Sequence, residues 1–179
     1  MLDPAIGYLL LGCFALLFLS AASQKLRALP RFAEVLRAYR VLPAGAVRLA
    51  VLLPLLELTL ALALLVPSTR MAAAGAGAAL LALYAGAIAL NLARGRRDLA
   101  CGCGGSDEAR PIARWMVVRN LLLASLLVAT LLSWQARTLL STDLLTVAGG
   151  VTVATLLYAS LDRLLGRVMP RTAAFGGSR

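Results

Sequence analysis

The sequence predicts an all-α, polytopic membrane helix bundle of about five transmembrane helices with one interfacial amphipathic helix. Three observations carry that reading. Of 179 residues, 61% are apolar and 15% charged, against roughly 25% charged in an ordinary soluble domain. The apolar residues fall in runs of a length that crosses a hydrocarbon core, about 20 residues. The basic residues collect between those runs rather than along them. A water-soluble globule is excluded. Eighteen Lys and Arg against eight Asp and Glu give a net charge of +10, and their placement beside apolar runs reads as membrane orientation, with no nucleic acid among the partners. Histidine is absent, which excludes an imidazole-based triad, His-ligated haem and the common zinc enzyme sites.

The first span is expected over about Pro4 to Ala22. Asp3 is the one charge ahead of it, and without a basic leader it reads as a retained helix rather than a signal peptide. Cys13 is taken as a small packing residue within it. Next comes a basic stretch in which Phe32, Val35, Leu36 and Tyr39 recur at helical spacing while Arg31, Glu34, Arg37 and Arg40 point elsewhere. That pattern predicts a short helix in the membrane interface, bounded by Pro30 and Pro43. Further spans are expected over about Ala44 to Val66, Met71 to Ala93, Trp115 to Trp134 and Leu144 to Leu165. In the second, Pro54 is expected to kink the helix; in the third, Ala78, Ala82 and Gly86 are expected to form one small-residue packing face. Residues 1–168 read as a single transmembrane domain and 169–179 as a basic, disordered tail. Sixteen of the eighteen basic residues fall on one side of this arrangement, all but Arg70 and Arg137. The positive-inside rule then places the N-terminus outside and the C-terminus in the cytoplasm of an inner, multi-pass membrane protein.

The candidate chemistry lies in the loop after the third span, where Cys101 and Cys103 flank Gly102. Arg94, Arg96 and Arg97 nearby favour thiolate, the species that attacks disulfides or binds metal. A disulfide closing so short a ring is strained and therefore easily reduced, which suits a carrier. An incidental glycine turn and a soft-metal site for an ion such as Cu(I) remain open alternatives; a closed zinc site would need ligands from a partner chain. Glu57 stands at mid-membrane depth, where an ionisable group is by default functional; the alternatives are proton handling and a packing hydrogen bond to Tyr84. Lys25, Asn91, Arg119 and Asn120 sit near the same end as the thiols. They are grouped with Cys101 and Cys103 as one polar pocket, against the plainer alternative that Lys25 and Arg119 snorkel to the headgroups.

Together, Ser20-Ala21-Ala22-Ser23-Gln24-Lys25, Leu53-Pro54-Leu55-Leu56-Glu57, Tyr84, Asn91-Leu92-Ala93-Arg94-Gly95-Arg96, Cys101-Gly102-Cys103-Gly104 and Arg119-Asn120 resemble the methylamine utilisation protein MauE family, itself distantly similar to DoxX membrane proteins. The resemblance runs over roughly Ile6 to Ala129 and is weaker in the fifth span and tail. It implies a redox-associated membrane helper that acts with a thioredoxin-like, MauD-type partner in maturing the disulfide-rich small subunit of methylamine dehydrogenase. Cys101 and Cys103 match the family's thiol motif, and Glu57, Asn91, Arg119 and Asn120 its polar positions. The expected role is therefore relay of thiol and disulfide equivalents through Cys101 and Cys103, with Glu57 as their mid-membrane helper. A non-catalytic scaffold that binds a partner helix is the rival. No cofactor or metal is assigned; a quinone is the electron carrier left open.

Overall fold

The computed structural model describes residues 3–40, 50–96, 99, 111–132, 134 and 140–168. Among them are six α-helices and no strand: α1 (Pro4–Arg27), α2 (Leu29–Tyr39), α3 (Leu52–Ala63), α4 (Arg70–Ala93), α5 (Arg114–Ala129) and α6 (Ser141–Val168). By length and composition α1, α4 and the Ser141–Leu161 stretch of α6 can cross a membrane. The bundle is the predicted membrane fold, with α2 as the interfacial element. Cys101 and Cys103 and the tail at 169–179 lie outside the described residues.

Helix ends follow local chemistry. Asp3 caps α1 by accepting from the Ala5 amide at 2.8 Å, and Pro4 occupies the first turn, where its missing N–H costs nothing. α1 runs five residues past its expected end because nothing between Ala22 and Arg27 interrupts it. α3 stops at Ala63: Pro67 cannot continue the ladder, and Thr69 Oγ1 turns back to donate to the Ala63 carbonyl at 2.8 Å. Pro54 falls in the first described turn of α3 rather than mid-helix, so the expected kink is replaced by a proline where the backbone needs no N–H. α5 ends at Ala129, short of the expected Trp134. Thr130 accounts for this by donating to the Leu127 carbonyl at 2.7 Å, and Trp134 Nε1 donates to the Thr130 carbonyl at 3.0 Å.

α4 closes with a Schellman motif. The Gly95 amide donates to Leu92 O and the Arg96 amide to Asn91 O, each at 3.0 Å. Gly95 has φ +74°, a left-handed conformation open to glycine without steric cost.

Within lipid, apolar side chains gain little by meeting one another rather than acyl chains, so close packing and small residues hold such a bundle together. The main core joins Leu11, Phe14 and Phe18 of α1, Leu60 and Ala61 of α3, Ala73, Ala74, Ala78 and Leu81 of α4, and Ala124 and Leu127 of α5. Gly77 is the closest approach in its middle: a Cβ there would lie 2.9 Å from Leu127 and 3.1 Å from Phe18. The expected face of Ala78, Ala82 and Gly86 is therefore divided. Ala78 is in the core, whereas Ala82 and Gly86 are exposed, lining an apolar groove with Ala79, Leu83, Leu90 and the partly buried Ala87. The packing face is instead the Ala73–Ala74–Gly77–Ala78–Leu81 set, because α4 packs mainly on α5 and also meets α3 and Phe18 of α1.

α6 lies against α1 through a glycine from each helix. A Cβ at Gly12 would sit 2.9 Å from Val151, and one at Gly150 2.5 Å from Leu9. Its leucines, such as Leu145 at 75% exposure, face outward, as suits a lipid-facing helix.

Candidate functional site

Two polar clusters occupy opposite ends of the bundle. At one, α1, α3 and α4 meet around Glu57, which is 1% exposed. Its Oε1 forms an ion pair with Lys25 Nζ and accepts from Tyr84 Oη at 2.8 Å. Lys25 is the third residue from the end of α1. Helical side chains lean towards the N-terminus, so its stem turns back into the bundle rather than out to the headgroups, leaving the residue 6% exposed. Its ammonium stands 5.1 Å from the Tyr84 ring centroid and 5.6 Å from that of Phe32 in α2, within the range of cation–π attraction. The Glu57 carboxylate is lopsided: both donors meet Oε1, and Oε2 is buried with no hydrogen-bond partner.

Asn91 and Asn120 donate to carbonyls of their own helices. Asn91 is fully buried, donates to the Ala87 carbonyl at 3.0 Å and accepts from Arg96 Nη1 at 3.1 Å, so it finishes the α4 cap. Arg96, expected to favour thiolate, is thereby directed at Asn91. Asn120, 4% exposed, donates to the Met116 carbonyl at 2.8 Å, and the Arg119 guanidinium lies 5.2 Å from the Trp115 ring. α4 and α5 run antiparallel, since Gly77 meets Leu127 near one end while Ile88 and Met116 share a cluster near the other. Tyr84 is four residues back from Ile88, and Asn120 four on from Met116, so both stand a turn further into the bundle. Asn91 is seven residues from Tyr84, about 10 Å along the axis. Among the described residues, Lys25, Glu57 and Tyr84 stand deeper in the bundle, and Asn91 with Arg96 nearer its end.

Below that outer layer, Tyr39 of α2 packs with Ile88, Ile112 and Met116. Burial pushes the Tyr39 phenol up to about 12. Here the chain that carries the two thiols departs and returns: the Ile112 amide donates to the Leu99 carbonyl at 3.0 Å, joining the two sides of that segment beside the C-terminal end of α4 and the N-terminal end of α5.

The opposite cluster was not anticipated from sequence. Arg70, at the start of α4, lies 4.0 Å from the Trp134 ring and 5.8 Å from the Tyr8 ring, and its Nη1 donates to Tyr8 Oη at 3.3 Å. Tyr8 and Trp134 meet edge to face at 5.2 Å. Gly7 makes the room, since a Cβ there would lie 2.7 Å from the indole. An isolated basic residue on the sparsely charged side was the available signal; the aromatic partners could not be assigned without the fold.

The chain matches the family model described as methylamine utilisation protein MauE over residues 3–134. A methylamine utilization protein MauE of Paracoccus denitrificans is 40% identical over 130 residues, covering 72% of this chain and 70% of the relative. Its counterpart in Methylophilus methylotrophus is 35% identical over 92% of this chain and 88% of the relative, and that of Paracoccus versutus 38% identical over 98% and 96%. No solved structure matches. Both the family model and full-length relatives thus agree with the residues that resemble the family, and this helical membrane chain belongs to the MauE family of methylamine utilisation proteins.

Proposed function

We propose that this protein is an inner-membrane redox helper that relays thiol and disulfide equivalents through Cys101 and Cys103 to a thioredoxin-like, MauD-type partner. The products served are exported disulfide-containing proteins, among them the methylamine dehydrogenase implied by the family. The observation that carries the reading is the Leu99–Ile112 hydrogen bond beside a buried apolar cluster, which anchors both sides of the segment holding two thiols one residue apart. A thiolate of the reduced pair attacks a partner disulfide; one S–S bond breaks as a mixed one forms, and attack by the second thiol releases the reduced partner and leaves Cys101 joined to Cys103. The partner disulfide gains two electrons and the pair loses them; the reverse direction obeys the same balance.

The positive-inside rule favours an N-terminus outside and thiols on the cytoplasmic side, whereas the clients mature outside. Equivalents must therefore pass across the bundle to the partner, with Glu57 as the buried group available to handle protons. An impermeant thiol reagent applied to intact cells tests the orientation, which is overturned if Cys101 or Cys103 is labelled from outside. Replacing both thiols by Ser should abolish client maturation while the protein still inserts, and the remaining single-Cys variants should trap a mixed disulfide with the partner. Full maturation with the double Ser variant would reject the relay. The rival is a non-catalytic scaffold, favoured by the exposed groove of Ala82, Gly86 and their neighbours on α4; it expects the double Ser variant to function and Gly86→Leu to fail.

A further inference from the structure

Four arginines gather where the segment carrying the two thiols leaves the bundle and returns to it. Leu99 and Ile112 join its two sides, and Tyr39 at the end of α2 packs in the same cluster. Arg37 and Arg40 flank Tyr39, Arg94 follows the last residue of α4, and Arg114 opens α5 two residues after Ile112. All four are exposed, and among the described residues none of them is paired with an acid. Chain connectivity alone keeps Cys101 within about 7 Å of Leu99. Between Arg96 and Pro111 the sequence holds two arginines against three acids, a surplus of one negative charge that the four arginines outweigh. Arg40 adds an independent observation. Its φ of +50° is left-handed, where a side chain is strained and glycine is not. Its amide donates to the Arg37 carbonyl at 3.1 Å, so the strained turn holds the two arginines together. α4 closes on a left-handed glycine, Gly95; α2 instead accepts strain and keeps a cation.

We infer that this arginine surface docks the acidic face of the protein whose disulfide or dithiol exchanges with Cys101 and Cys103. The inference rests on the thiol relay and adds to it the charge of the partner met on the arginine side of the membrane. α2 turns Phe32 and Tyr39 into the bundle, so its apolar side is occupied and its arginines are left for an outside contact. Three helix ends at the usual spacing of about 8–10 Å present a surface broader than one small molecule, which fits a protein. Complementary charge steers encounter and speeds association at low ionic strength, and salt screens the effect. The chemical step is unchanged: a thiolate of the pair attacks the partner disulfide, one S–S bond breaks as the mixed one forms, and attack by the second thiol releases the reduced partner with two electrons gained.

Charge-matched peptides test it. The full chain carrying Cys13→Ala, so that the pair supplies every thiol, is reduced in phosphatidylcholine nanodiscs and mixed with disulfide-linked dimers of a cysteine peptide flanked by four glutamates, four serines or four lysines. At low salt the glutamate dimer should react about tenfold faster than the serine dimer, with the lysine dimer slowest. The order should collapse at about 0.5 M NaCl, where screening is short-ranged. Arg40→Gln combined with Arg114→Gln should remove most of the glutamate preference and leave the serine rate within about twofold, whereas Arg40→Lys should retain the preference. Equal slowing of all three dimers in the Gln variant identifies arginines that act only by favouring thiolate, and overturns the inference. Charge-blind reaction of the wild type overturns it too and spares the relay; if the Gln variant then also retains less phosphatidylglycerol than the wild type, the surface belongs to lipid headgroups. No reaction with any dimer overturns the relay and the inference together.

Discussion

Lys25 and Arg70 are both cations drawn into an apolar bundle, and the bundle treats them differently. Lys25 is 6% exposed and is compensated by a carboxylate that is itself 1% exposed. Arg70 is only partly buried and is compensated by aromatic faces and a phenol oxygen. The difference follows from depth and from the hydration of each head group. A compact ammonium deep between helices needs a full counter-charge, whereas a planar, weakly hydrated guanidinium near a helix start can stack on indole and keep a path to water. One end of the bundle is therefore a charge-balanced junction; the other is an aromatic anchor around a cation.

The contrast is sharpest when one partner of the junction is removed. Lys25→Met should destabilise the bundle by about 3–5 kcal/mol, because it leaves a buried carboxylate unpaired. Lys25→Met with Glu57→Leu should cost much less than the sum of the single changes. Denaturant unfolding in detergent micelles measures both, and simple additivity would show that the pair does not act as a unit. At the opposite end, Gly7→Ala should cost about 1–3 kcal/mol by pushing the indole off Arg70, read as an increase in Trp134 fluorescence quenching by added iodide. Arg70→Met should lose less, about 0.5–2 kcal/mol, the range of a cation–π contact. If it proves as damaging as Lys25→Met, the two ends do not differ as described. Gly86→Ala should be neutral or stabilise α4 by up to about 1 kcal/mol, since a Cβ there meets nothing within 4 Å.

A pH test separates α2 from the rest. The Tyr39 phenol titrates at about 12 when α2 is docked, against an ordinary value of 10.0. Its raised value means that the contribution to docking is complete below about pH 10 and is lost as pH rises through about 12. Fluorescence from a probe on α2 should report undocking across that window, and Tyr39→Phe should shift or remove the transition.

The helices were legible because their signals are local. Apolar runs and Pro30 are each read within a turn or two of the position they control. What was not legible depends on helices distant in the chain. Lys25 and Glu57 are 32 residues apart, and nothing along either segment states which faces the other. Trp134 counts as apolar and so appears to prolong α5, whereas its N–H finds the Thr130 carbonyl in a turn. The small residues of α4 were visible, but which of them face inward follows from the two neighbours of that helix. The thiols were visible from the start, and their chemistry rests on spacing and family rather than on the described coordinates.

α6 touches the rest of the protein mainly along α1, where Gly12 and Gly150 let the two backbones approach. Among the described residues, the ion pair, hydrogen bonds and ring contacts given above for the two polar clusters come from other helices and from Trp134, and the family model ends before α6 begins. It therefore behaves as an outrigger: its sequence can drift in hydrophobic detail, or be exchanged for another lipid-facing helix, without disturbing the charge junction, so long as the two glycine notches that dock it stay open.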